Sequence, residues 1–234
     1  MKRSPCRPGR AWLRPCEALF ALVLIALLVL QQAGLAQEAG EGEHTNFAGL
    51  TIVAAGEQEF DLLTGVTTLP QGGQIISQEY GLTLVGERIA YREGEFIEAS
   101  GVSVTTDFAD ATAESVRFDL ESGDMSANGN VRFEHETLSL RATSLRYIAV
   151  AAAVRFEGPV VGEGLEAAGM LLDIGSGTLL LVGPYRYEDG LFELASAREG
   201  ALLALTPANE ELTELRASTD VDPGLLERLA PHLP

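Results

Sequence analysis

Cysteine is nearly missing from this chain, and its two copies, Cys6 and Cys16, sit at the very beginning. No disulfide framework can be built downstream of them. Histidine occurs three times, at His44, His135 and His232, far apart, and each reads as a solvated surface residue. His135-Glu136 opens like the zinc motif H-E-x-x-H, but Ser139 stands where the second histidine belongs. Basic residues are few: 16 Lys and Arg against 34 Asp and Glu, a net charge of −18. So acidic a surface argues against nucleic acid and against adhesion to anionic headgroups, both of which reward a basic patch. The longest apolar run, 18–30, covers about 13 residues, short of the roughly 20 that a spanning helix needs.

What stands at the N-terminus is a sorting signal in outline. Lys2, Arg3, Arg7, Arg10 and Arg14 precede the apolar run, and Gly34-Leu35-Ala36 follows it. A basic start, a short apolar stretch and a small-x-Ala site describe a cleavable signal peptide over 1–36. Neither cysteine follows the run, so lipid attachment is not expected. The predicted mature chain begins at Gln37. It has no cysteine and carries 11 basic residues, all arginine, against 33 acidic ones, since Glu17 and five basic residues lie in the signal. This composition fits a periplasmic protein. The alternative is that 18–30 is retained as a membrane anchor.

The body of the chain repeats. Phe60, Tyr91, Phe118, Tyr147 and Leu172 lie 31, 27, 29 and 25 residues apart. Each is preceded, five residues earlier, by Ala55, Gly86, Ala113, Ala142 or Ala167, and followed by Gly72, Gly101, Gly129, Gly158 or Gly183. A fixed internal pattern at an irregular period of this size marks a repeat architecture. Alternating apolar and polar residues within each copy mark half-buried strands. The alternation changes parity at Glu87-Arg88, Glu114-Ser115, Thr143-Ser144 and Ala168-Gly169. A straight strand cannot do this, because its side chains alternate with period two. A bulge or corner restores one apolar face. Each copy therefore reads as a bent strand, a polar turn and a return strand. Stacked copies give two facing sheets with an apolar interior that no single copy can bury alone.

The remaining segments are simpler. Residues 37–46 read as a flexible lead-in, and a first strand begins within 47–53. Residues 64–74 read as loop, and 191–205 hold one or two last strands. Beyond Pro207, 209–217 and 222–230 are short helix candidates, the second with Asp222 as cap and Pro223 at the first helical position. Asp61, Asp119 and Asp173 fall at turns, where Asx hydrogen bonds account for them. Gly162-x-Gly164-x-x-Ala167 matches a dinucleotide fingerprint in letters only, because a strand pattern follows where a helix is required. Gly175-Ser176-Gly177 lacks the spacing of a nucleophile elbow. No catalytic constellation is visible, and no cofactor or metal is expected.

The best-formed copies resemble the OstA-like (LptA/LptC) family of lipopolysaccharide-transport proteins. The residues that carry the resemblance are Ala113, Val116, Phe118, Asp119, Gly123, Ala127, Gly129, Asn130 and Val131, then Leu140, Ala142, Leu145 and Tyr147. The resemblance implies an all-β fold, a folded-over β-jellyroll of stacked bent antiparallel strands over 47–205, with a short helical or disordered tail over 206–234. It implies a non-enzymatic periplasmic protein that shelters the acyl chains of lipopolysaccharide or a related envelope lipid. It also implies edge-to-edge joining of terminal strands, into head-to-tail homo-oligomers and with other transport proteins of the pathway. The lipid-lining residues would be Phe60, Ile89, Tyr91, Val116, Phe118, Leu145, Tyr147, Met170 and Leu172. Two alternatives stand beside this reading: a membrane-anchored LptC-like component, and a structural envelope β-repeat with a filled core. The strong negative charge and the tail beyond Pro207 depart from the family pattern.

Overall fold

The alternation that marks half-buried strands produces one pleated ribbon, bent double along its length. The computed structural model describes residues 44–47, 50–77, 82–105, 110–135, 138–208 and 215–234. The expected signal segment and most of the lead-in lie outside these residues.

Among the described residues, seventeen strands form one continuous antiparallel system. The first five are short: β1 (His44–Phe47), β2 (Leu50–Ala54), β3 (Glu59–Phe60), β4 (Thr67–Leu69) and β5 (Gly73–Ser77). Five long strands follow: β6 (Leu82–Arg92), β7 (Phe96–Thr105), β8 (Asp110–Asp119), β9 (Met125–His135) and β10 (Leu138–Ile148). Then come β11 (Ala153–Glu157), β12 (Val160–Gly162), β13 (Leu165–Asp173), β14 (Thr178–Glu188), β15 (Glu193–Ser196), β16 (Leu202–Pro207) and β17 (Leu215–Ser218). Helix α1 (Pro223–Leu229) follows β17 and leads into a short 3-10 turn, Ala230–His232.

Each long strand bends near its middle and contributes to two arms. In arm A, β3, β4, the second half of β6, the first half of β7 and so on pair side by side, through β11 to β16 and β17. In arm B, β1, β2, β5 and the complementary halves pair through β12 to β15. Short strands in pairs, such as β2 with β3 or β11 with β12, are bent strands interrupted at the corner. A bent strand with its two halves is called a rung below. Rungs run alternately from arm B to arm A and back. At about 4.8 Å per strand, the stack is roughly 50 Å long.

The corners explain both small-residue signals in the sequence. Rungs that run from B to A turn just after Gly86, Ala113, Ala142 and Ala167, where the ladder skips a pair or slips by one residue. These are the positions of the parity changes. Return rungs turn at Gly72, Gly101, Gly129 and Gly158, all with positive φ, and at Gly183. Gly158 shows why glycine is required there. Its φ is +77°, and a Cβ would lie 2.2 Å from Thr143 Oγ1 on the neighbouring corner. Any side chain would meet both strain and overlap.

The tail behaves differently from its reading in one place. Residues 215–217 of the first helix candidate belong to β17, paired with β16; the rest of that candidate lies outside the described residues. Leu215 and Ala217 place their side chains against the interior, and this packing outweighs the local helical preference. The second candidate forms α1, with Asp222 Oδ1 accepting from Leu225 N at 2.8 Å and Pro223 in the first turn. Within the segment read as loop, 67–69 form β4 and 73–74 begin β5, because each finds a partner on β6.

Candidate functional site: the interior between the arms

Cross-strand register aligns the repeats into rows. Following the pairings through arm A, one inward row reads Phe60, Thr67, Tyr91, Ile97, Phe118, Met125, Tyr147, Val154, Leu172, Leu179, Leu205 and Ala217. A second, nearer the corners, contains Leu69, Ile89, Ala99, Val116, Ala127, Leu145, Phe156, Met170, Leu181 and Leu203. The nine residues expected to line a lipid path fall on these two rows. Phe60, Tyr91, Phe118, Tyr147 and Leu172 occupy the first, and Ile89, Val116, Leu145 and Met170 the second. Arm B supplies the opposing lining, including Ile52, Ile75, Leu84, Phe133 and Leu140, in the same core.

Burial divides the nine. Ile89, Tyr91, Val116, Leu145, Tyr147, Met170 and Leu172 are buried, and Phe118 is half-buried against the same core. Phe60 differs from the other eight. It sits on the inward row but is 60 % exposed, because among the described residues β3 pairs only with β4 and no strand covers its far side. The lining is thus turned inward and packed, not displayed to solvent. Among the described residues, no strand pairing ties the tips of one arm to the tips of the other. The arms are joined by covalent corners along one side, and by side-chain packing along the other. A guest entering between them would part that second side.

The interior carries little charge. The phenol of Tyr147 is shifted upward, mainly by burial and further by Asp124. Three hydrogen-bonded aspartates lie at the tips of arm A. Asp61 Oδ1 accepts from Leu63 N and Thr64 N, and Asp119 Oδ1 accepts from Glu121 N and Ser122 N. These amides hold both carboxyls below the ordinary range, with Leu63 and Ser122 contributing most. Asp173 makes the equivalent turn through Ser176 N at 3.1 Å. All three aspartates therefore make the expected Asx turns. The structure also reveals a longer period missed in the sequence: Asp61, Asp119 and Asp173 mark every second tip, with Leu62, Leu120 and Ile174 as the next residue. The shorter repeat masked it, although Asp-Leu-x-x-Gly in the first two copies was readable.

The tail adds an outer feature. Leu229 of α1 is buried against Ile148, Ala151, Ala153, Leu171, Leu180 and Ala204 on the outward face of arm A. Arg228 Nη1 donates to Asp173 Oδ1 at 2.8 Å and to Ala151 O at 3.3 Å. Burial pushes the Asp173 carboxyl up, but the bonds from Arg228 and Ser176 outweigh it and leave it below the ordinary range. Among the described residues, no group of three or more His, Cys, Asp or Glu is placed to hold a metal ion, and no helix is long and apolar enough to cross a membrane.

The fold is a folded-over β-jellyroll with a continuous apolar interior. No family model matches this chain, and no curated protein matches it in sequence. Among solved structures it is similar to LptH of Pseudomonas aeruginosa, described as the LptA-homologous periplasmic component of a lipopolysaccharide transport device. The two are 12 % identical with a TM-score of 0.37, and the match covers 43 % of this chain and 76 % of that one.

Proposed function

We propose that this protein is a periplasmic, non-enzymatic carrier of lipopolysaccharide or a related envelope lipid, which shelters acyl chains between its two arms and joins neighbours by its edge strands. The observation that carries this reading is the pair of inward rows, apolar from Tyr91 to Leu205 and from Leu69 to Leu203, between arms bonded along one side only. Removing acyl carbon from water is worth about 0.8 kcal/mol per CH₂, so even partial shelter of several chains gives firm binding. No residue performs covalent work, and direction of transport comes from a partner. Export by a cleaved segment 1–36 belongs to this reading, as does the domain division at 47–205.

The burial of the lining favours a second reading, a structural envelope β-repeat whose core is filled by itself. One experiment separates the two. A photoreactive phenylalanine analogue replaces Tyr147 on the inward row or Arg146 beside it on the outward face, and the protein is irradiated in lipopolysaccharide micelles. The carrier reading expects a lipid adduct at 147 and none at 146. Equal labelling, or none at 147 together with lipid-free protein from envelope extracts, leaves the filled repeat.

A further inference from the structure

The two ends of the stack are each missing half a rung, and the missing halves are complementary. At the N-terminal end, β1 lies in arm B beside β2, and β3 in arm A has nothing on its far side among the described residues. At the C-terminal end, β17 lies in arm A beside β16, and β15 in arm B is left open in the same way. The two half-rungs have four residues each, against 10 or 11 in the complete strands β6 to β10.

Directions agree as well. β16 runs from the corner of arm A to its tip, so the antiparallel β17 runs toward the corner. β2 runs from the tip of arm B toward the corner, so β1 runs from the corner outward. Placed end to end, β17 of one copy and β1 of the next trace one continuous bent strand. That composite strand is antiparallel to both neighbours, as every internal rung is.

Register and chemistry point the same way. The inward row of arm A starts at Phe60 and ends at Ala217; the outward row starts at Glu59 and ends at Ser218. Setting Ala217 against Phe60 sets Ser218 against Glu59, so a single antiparallel register continues both rows. It also covers the exposed Phe60 and brings Arg216 diagonally to Glu59. In arm B the rows close likewise, with Leu194 against Thr45 and Glu193 against Asn46. The turns supply an independent sign. In the internal Asp turns, Leu120 N donates to Glu95 O at 2.7 Å and Ile174 N to Ala152 O at 3.1 Å, each bonding to the preceding tip of arm A. The first turn of the same kind has no preceding tip among the described residues, and its Leu62 and Leu63 are 87 % and 97 % exposed. Inside the stack, what covers this site is another rung of this chain.

We infer that the joint between copies is one shared rung, β17 of one copy supplying its arm A half and β1 of the next its arm B half. This rests on the assembly part of the proposed function and specifies its contact. A joint of two complete strands, meeting along only one arm, is the contrasting geometry.

Cysteine pairing tests it in the full chain with Cys6→Ser and Cys16→Ser. Glu59→Cys protein is mixed with Ser218→Cys protein, and Asn46→Cys protein with Glu193→Cys protein, under mild oxidation. Both mixtures are expected to give disulfide dimers and each single variant alone to give none. Pairing in one mixture only, or between identical variants, overturns the shared rung and leaves assembly itself standing. No pairing in either mixture, with sedimentation showing monomer throughout, removes assembly and the inference together. Hydrogen exchange on the unsubstituted chain gives a second readout independent of the variants. On raising concentration, amides of β1, β3, β15 and β17 are expected to gain protection together, and a gain confined to one arm overturns the inference.

Discussion

The two faces of arm A share every strand and differ in what covers them. From Tyr91 to Leu205 the inward face is apolar, and arm B lies opposite it in the same core. The outward face changes character midway. Its central row begins Glu59, Thr68, Ala90, Glu98, Arg117, Ser126, Arg146 and Arg155, then becomes Leu171, Leu180 and Ala204. In the first part, Arg117 pairs with Glu98 and Arg146 with Asp124 in the open. The second part lies where α1 docks. Strand composition thus follows the cover, and an apolar outward residue reports a covering element elsewhere in the chain.

Substitutions that remove cover or covered groups test this contrast. Tyr147→Ala, on the covered inward row and only 1 % exposed, is expected to cost the most, about 3–5 kcal/mol by denaturant titration. A loss below about 1 kcal/mol would show that the arms are not packed as described. Leu171→Ala, under the helix, is expected to cost about 2–4 kcal/mol and to raise dye binding by the newly loosened outer patch. Arg228→Ala leaves buried Asp173 without its charged donor and is expected to cost about 1–3 kcal/mol, with α1 becoming protease-sensitive. The same pair sets an acid limit. A carboxyl depressed in the folded state stabilises above its unfolded pKa of about 3.9 and loses that contribution as pH falls through the folded value. Helix docking should therefore weaken below about pH 4, and Asp173→Asn should flatten that dependence in urea midpoints. Arg117→Ala, on the uncovered half of the outward row, is expected to change stability by less than about 1 kcal/mol and to be insensitive to α1. Phe60→Ala, at the uncovered start of the inward row, should have the smallest effect in dilute protein, because little burial is lost.

The repeat was legible because each rung must solve the same problem. Parity changes at Thr143-Ser144 and Ala168-Gly169 mark corners in the sequence itself, since only a bend can return alternating side chains to one face. The glycines trailing each aromatic marked the return corners by the same logic. Phe60 shares the facing of Tyr147 but not its burial, because a pattern records facing, not cover. The strand at 215–218 was hidden by a helix-like run of Leu, Glu and Ala, with its pairing partner β16 supplying the deciding contacts. The apolar residues Leu171, Leu180 and Ala204 face outward, and the element that buries them lies more than twenty residues downstream.

From its letters alone, this chain determined bent strands, corner positions, Asx turns and a capped terminal helix, because each depends on the backbone preferences and side-chain parity of a few adjacent residues. Only the tertiary structure decided which strands end the stack, which apolar residues are covered, and that the tail folds back over the outside of one arm. Those outcomes depend on neighbours distant in sequence, and no local pattern encodes which neighbour arrives.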